Sequence, residues 1–231
     1  MWNLIQTSLP QLLAAAFQYT VPLALISFFF GLLIALATAL IRSSKQGGAF
    51  KIVKWIFSFY VWLFRSTPLL VQLFIVFFGL PYLKISGVFP DGIKLDPFVA
   101  GVITFSLNTG AYASETIRAS ISAVPEGQWE AGAAIGMTKY QVVRRIILPQ
   151  ALRVAIPPLS NSFISLVKDT SLAASITIVE MFEVSQQIAA QNYQPMVMYT
   201  LVAAIYAVIT TVLTYLQGYL EKVTNKHITT P

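Results

Sequence analysis

Residues 12–41 read LLAAAFQYTVPLALISFFFGLLIALATALI, and no charged residue occurs from Met1 to Ile41. A helix that spans a bilayer needs about 20 consecutive, mostly apolar residues, so this stretch alone is long enough to cross a membrane. The remainder has the same character: 56% of the 231 residues are hydrophobic and 10% are charged, whereas soluble domains carry about 25% charged residues. A second charge-free run extends from Val184 to Leu220. The chain therefore reads as an all-α polytopic membrane protein. Barrel strands would alternate apolar and polar residues over about ten positions, and Leu63 to Leu80 does not alternate. No basic region precedes the first apolar run and no small-residue cleavage site ends it, so a cleavable signal peptide is not expected. The sequence has no cysteine, which excludes disulfides, thiolate catalysis and sulfur-ligated metals.

Five spans are predicted, over residues 12–41, 67–83, 97–122, 151–180 and 195–220. The second is interrupted: Lys51 to Phe64 is amphipathic and rich in aromatics, and Arg65-Ser66-Thr67-Pro68 then brings a charge and a helix breaker. Two readings stay open, a lead-in helix over 51–64 with a break before a short span, or one proline-kinked helix, which membranes tolerate. One set of connections holds Arg42, Lys45, Lys51, Lys54, Lys139, Arg144, Arg145, Arg153, Lys222 and Lys226, and the other only Lys84 and Lys94. Basic residues concentrate in cytoplasmic loops, so the N-terminus is expected outside and the C-terminus in the cytoplasm. The same distribution accounts for the net charge of +6 without any nucleic acid.

The connection over residues 124–153 is long enough to carry a structure of its own. Glu130-Ala131-Gly132-Ala133-Ala134-Ile135 predicts a short helix of small side chains, with Gly136 where a left-handed helix end is easy. Thr138 and Gln141 fit the S/T-x-x-E/Q capping box. They predict a second helix through Val142, Val143, Ile146 and Ile147 that stops at Pro149. Such a knob suits a partner's groove; the alternative is an amphipathic hairpin resting on lipid headgroups through Arg144 and Arg145.

Glu130-Ala131-Gly132-Ala133-Ala134-Ile135-Gly136-Met137, continued to Ile147-Leu148-Pro149-Gln150-Ala151-Leu152-Arg153, resembles the EAA loop of ABC importer permeases. Gly132 stands where that pattern has its second alanine, a small-for-small change expected to be tolerated. Three further stretches are similar to the polar amino-acid branch of the family: Phe64 to Leu73, with Ser66 where glycine is usual; Ala111 to Ala119; and Pro157 to Asn161 with Ser165 to Leu172. The last looks most like the L-cystine permeases. The resemblance implies the type I ABC importer (MetI-like) fold, with five core transmembrane helices in a bacterial cytoplasmic membrane. It also implies two ATPase subunits that bind ATP and Mg, a second permease subunit that is a copy of this chain or a related one, and an extracytoplasmic binding protein. Glu130, Ala131, Gly132, Ala133, Ala134, Gly136 and Met137 would then couple to the ATPase. The substrate would be a polar amino acid, L-cystine or alternatively glutamine, histidine or arginine.

The chemistry within the sequence agrees with a transport subunit. No G-x-x-x-x-G-K-S/T loop is present to cradle ATP phosphates, and the single histidine, His227, lies in the charged tail. A membrane enzyme would lack a nucleophile, base and metal set, and an ion-coupled carrier would need two matched halves that five spans do not offer. Charge at bilayer depth costs at least about 2.5 kcal/mol and is retained where it pairs or lines a pathway. Asn108, Tyr112 and Glu115 stack on one helix face by their spacing of four and three, as do Asn161, Ser165 and either Lys168 or Asp169. Lys168 and Asp169 are consecutive, so they point about 100° apart and each needs another partner; Glu115, Arg118, Arg65 or a symmetry mate could supply it. With Gln72 and Arg118, these residues are the predicted substrate pathway. Asp169 and Glu115 are expected to meet the substrate's ammonium groups, and Lys168 or Arg118 its carboxylates. The other role left open is ion pairing that fixes helix packing.

Overall fold

The structure, a computed structural model, describes residues 2–44, 48, 50–84 and 90–225. Lys45, Lys226 and His227 lie outside these described residues. All regular structure among them is helical: α1 (Trp2–Ala15), α2 (Val21–Ser43), α3 (Phe50–Ser66), α4 (Leu69–Phe74), α5 (Pro97–Ser122), α6 (Glu126–Ala134), α7 (Lys139–Val142), α8 (Leu148–Asp169), α9 (Met181–Asn192) and α10 (Pro195–Asn225). Among the described residues two helices are long and apolar enough to cross a membrane, Trp2–Ser43 and Pro195–Thr224. The first of these begins at Trp2, well before the predicted boundary at Leu12. Two bent pairs also qualify if each is one span: Phe50–Ser66 with Leu69–Tyr82, bent by 113°, and Lys139–Ile176 with Met181–Asn192, bent by 53°. A 113° turn is a break and not a kink, which decides between the two readings of residues 51–83. α5 starts at an Asp96 cap that accepts the Phe98 and Val99 N–H groups, and it runs for 26 residues, about 39 Å at 1.5 Å each.

The most extensive helix contact is α2 on α5, and it is built from small residues. Ser27, Gly31, Ala35 and Ala39 are buried on α2 at a spacing of four, and Ser106, Thr109, Gly110 and Ala113 are buried on α5. A Cβ at Gly31 would lie 2.8 Å from Thr109 Cβ, and one at Gly110 would lie 2.7 Å from Ile34 Cγ2 and 2.8 Å from the Tyr60 hydroxyl. Lipid tails are as apolar as leucine, so burial alone does not drive this contact; close backbone approach and dispersion do.

Among the described residues, each π-helical turn ends two residues before a proline. Ala16–Thr20 precedes Pro22, Ile75–Gly79 precedes Pro81, and Val143–Ile147 precedes Pro149. A proline ring collides with the carbonyl four residues back, and widening that turn to i→i+5 moves the carbonyl aside. The predicted stop at Pro149 is thereby corrected: the helix that begins at Lys139 runs through it to Ile176.

The fourth predicted span, 151–180, is also not one regular helix. α8 tightens to a 3-10 helix over Thr170–Ile176, and Thr177 adopts a left-handed conformation with φ 68°. A β-branched residue there stores roughly 1–3 kcal/mol and persists only where its surroundings over-determine it. The Thr177 and Ile178 N–H groups donate to the carbonyls of Ala174 and Ala173 at 3.1 and 3.2 Å. Glu180, fully buried, then caps α9 by accepting the Phe182 and Glu183 N–H groups, both at 2.8 Å. α1, α9 and α10 pack together around Leu12, Met181 and Met198.

Gly31→Val and Gly110→Val are each expected to destabilise the bundle by about 1–3 kcal/mol through overpacking. The check is the thermal unfolding midpoint of the purified protein in detergent. Gly218→Ala, on an open face of α10 with nothing within 4 Å, is expected to leave the midpoint unchanged or raised.

Candidate functional site

A cleft of about 510 Å³ opens between the α3–α4 break, α5 and α8. Its break wall follows from Pro68. The residue before a proline is driven out of the helical region, so α3 ends at Ser66 and its last carbonyls lose their partners. Gln72, 6% exposed, supplies them: its amide donates to the Phe64 carbonyl at 2.9 Å and to the Thr67 carbonyl and hydroxyl at 3.1 and 2.9 Å. Its oxygen accepts from Asn108 Nδ2 at 2.9 Å, which ties the break to α5. The Tyr60 hydroxyl adds a second tie by donating to the Leu107 carbonyl at 2.6 Å. At the rim, Arg65 stacks over the Tyr112 ring at 5.6 Å from its centroid, a cation–π contact.

The facing wall is chemically different. Asn161, Ser165 and Asp169 follow one another at a spacing of four on α8, all three line the cleft, and none makes a side-chain hydrogen bond or ion pair among the described residues. The choice left open between Lys168 and Asp169 falls to Asp169; Lys168 is exposed and outside the lining. One cleft thus combines a braced wall with a free polar wall that carries a carboxylate.

Glu115 and Arg118 do not reach this cleft. Glu115 forms ion pairs with Arg42 and, at 2.8 Å, with Arg118, and Arg42 also donates to the Ser58 hydroxyl at 3.3 Å. The group clamps α2, α3 and α5 together. A carboxylate already bracketed by two guanidiniums has little left for an ammonium, which corrects the expectation that Glu115 acts alongside Asp169. Arg42, taken from sequence only as a loop cation, is the partner that was missed. Of the predicted pathway residues, Asn108, Tyr112, Asn161, Ser165 and Asp169 line the cleft; Gln72 backs its wall; Glu115, Arg118 and Lys168 stand elsewhere. Thr67, Ser162 and Leu172 also line it, and only Thr67, beside Pro68, had a local cue in sequence. No three His, Cys, Asp or Glu side chains converge as metal ligands among the described residues.

The α6–α7 hairpin forms a second feature. Gly136 is left-handed at φ 79°, its N–H donates to the Ala133 carbonyl at 3.0 Å, and the Met137 N–H donates to the Gly132 carbonyl at 3.1 Å, which together close a Schellman motif. Both bonds of the Thr138–Gln141 capping box are formed. Gly132 and Met137 face inward: a Cβ at Gly132 would lie 2.8 Å from Val142 Cγ2, and Met137 packs against the buried cluster of Val124, Val142, Ile147 and Ala151. Alanine at 132 would therefore force Val142 to shift. Glu130, Ala131, Ala133, Ala134 and Gly136 are exposed, beside Ile135 at 76% exposure.

A broken helical bundle with a polar cleft and an exposed small-residue hairpin defines a membrane transport component. The chain belongs to the family of binding-protein-dependent transport system inner membrane components, whose sequence profile matches residues 47–226, and its fold is that of the type I importer permeases. It is 49% identical to the L-cystine transport system permease protein TcyB of Bacillus subtilis (strain 168), across 98% of this chain and 92% of that protein. Among solved structures it resembles an amino acid ABC transporter crystallised with histidines, with a TM-score of 0.84 and 31% identity over 94% of this chain and 95% of that one. The inward-facing MetNI methionine ABC transporter shares the fold, with a TM-score of 0.71 at 20% identity over 89% of this chain and 92% of that one.

Gln72→Leu leaves the Phe64 and Thr67 carbonyls and Asn108 without their partner, at a cost of about 1–3 kcal/mol for each buried group orphaned. A clearly lower unfolding midpoint in detergent is expected. Ser165→Ala, which breaks no bond, is expected to leave that midpoint unchanged.

Proposed function

We propose that this chain is the permease subunit of an ATP-driven amino-acid importer in a bacterial cytoplasmic membrane, and that its substrate is L-cystine. The observation that carries the reading is the free polar face Asn161–Ser165–Asp169 on the cleft. Polar groups at membrane depth are retained where they find partners or line a pathway, and these three make no side-chain hydrogen bond or ion pair among the described residues. Asp169 meets a substrate ammonium, while Asn161 and Ser165 supply uncharged donors and acceptors. Support for cystine comes from the 49% identity to a permease of that name.

The chain crosses the membrane five times, with its N-terminus outside and the basic hairpin connection in the cytoplasm, in keeping with the distribution of Lys and Arg. It works as a pair with a second permease subunit, a copy of itself, on two ATPase subunits that hold ATP and Mg; a binding protein delivers the substrate from outside. Glu130, Ala131, Ala134 and Gly136, with Ile135, enter the ATPase groove, where small side chains allow close approach and a bulky one clashes. Gly132 and Met137 act one step back, by holding α6 on α7.

Reconstitution in proteoliposomes, with ATP inside and the binding protein outside, tests the reading. Uptake of labelled L-cystine is expected to require ATP, to fail when an ion gradient replaces it, and to resist competition by glutamine, histidine or arginine. Asp169→Asn is expected to cut uptake at saturating loaded binding protein at least tenfold in complexes that assemble normally; wild-type uptake would sink the assignment. Ala134→Arg, at an exposed helical position, is expected to abolish copurification of the ATPase subunit or substrate-stimulated hydrolysis. Retention of both would refute the hairpin's role.

A further inference from the structure

Glu180 lies outside the cleft and is 0% exposed. A carboxylate without water is tolerable only where its lone pairs are used, and here they are. Both oxygens accept N–H groups from the first turn of α9, and Oε2 also accepts from the Tyr206 hydroxyl of α10 at 3.2 Å. The Tyr206 hydroxyl lies against Thr20 and Thr170, both fully buried, and the Met181 N–H donates to Thr20 Oγ1 at 3.3 Å. Thr170 immediately follows Asp169, at the point where α8 tightens into the 3-10 segment, and its hydroxyl closes that turn onto the Val167 carbonyl at 2.7 Å. The far end of the same segment is the left-handed Thr177, a conformation that needs holding from outside; Glu180 follows three residues on, its N–H donating to the Ile178 carbonyl at 2.8 Å.

We propose that Glu180 and Tyr206 are positioning residues for Asp169: they hold the turn that presents the cleft's free carboxylate to the substrate. The proposal rests on the reading of the cleft as the substrate site. Loss of either group frees the 3-10 segment to relax, and the carboxylate moves with it. For Tyr206→Phe the effect falls on substrate affinity, not on the amount of folded protein.

The test is equilibrium binding of labelled L-cystine to the purified permease–ATPase complex without binding protein, which yields Kd and the fraction of active sites separately. Tyr206→Phe, which deletes one hydroxyl, is expected to raise Kd about three- to tenfold with the active fraction preserved, and Glu180→Gln to raise it further. Asp169→Asn is expected to raise Kd at least tenfold, and Tyr206→Phe in that background to add less than twofold, because misplacing a group that is already gone costs nothing more. Wild-type Kd in Tyr206→Phe, or full additivity with Asp169→Asn, overturns the proposal while the cleft assignment stands. Wild-type Kd in Asp169→Asn overturns both. If Glu180→Gln fails to assemble, Tyr206→Phe and the double variant decide.

Discussion

The contact on which the molecule depends is the close approach of α2 to α5. Helices in lipid gain little from hiding apolar surface from one another, so a bundle must be held by fit. Glycine facing threonine, and glycine facing isoleucine, bring the two backbones near enough for dispersion to act along both helices. α5 is thereby fixed, and it carries one attachment after another: the Leu107 carbonyl and Asn108 that hold the α3–α4 break, and Glu115 that gathers Arg42 and Arg118. The cleft lies where the two broken elements are laid against α5.

The acidic residues of the bundle have unlike fates, and their partners decide them. Glu115 is bracketed by guanidiniums, Glu180 is saturated by backbone and phenol donors, and Asp169 lines the cleft with no hydrogen bond or ion pair among the described residues and only the charge of neighbouring Lys168 acting on it. Composition and helical spacing treat the three alike. Only the arrangement in space separates a clamp, a cap and a candidate ligand.

Much of this was legible in sequence where the rule is local. The capping box at Thr138, the left-handed Gly136 and the face Asn161–Ser165–Asp169 each depend on residues within two or three turns, and spacing suffices to place them. What was not legible depends on distant chain. Arg42 is far in sequence from Glu115, and nothing near either one announces the pair. Glu180 reads as the polar end of a span until Tyr206 and the first turn of α9 are brought to it. Pro149 misled for another reason: proline usually ends helices in water, but here the preceding turn widens and the helix continues. The departure at Gly132 was visible, and its cause, contact with Val142, was not.

The continuity through Pro149 has a mechanical consequence. The second arm of the hairpin and the wall that bears Asp169 are parts of one rod, Lys139 to Asp169, about 46 Å long at 1.5 Å per residue. A force applied at the hairpin tip need not cross any loop to reach the cleft. Along that rod the regular backbone ladder is interrupted at the widened turn Val143–Ile147 and at the Pro157–Pro158 pair, the kinds of place where a helix bends; elsewhere a tilt at one end is carried as a displacement to the other.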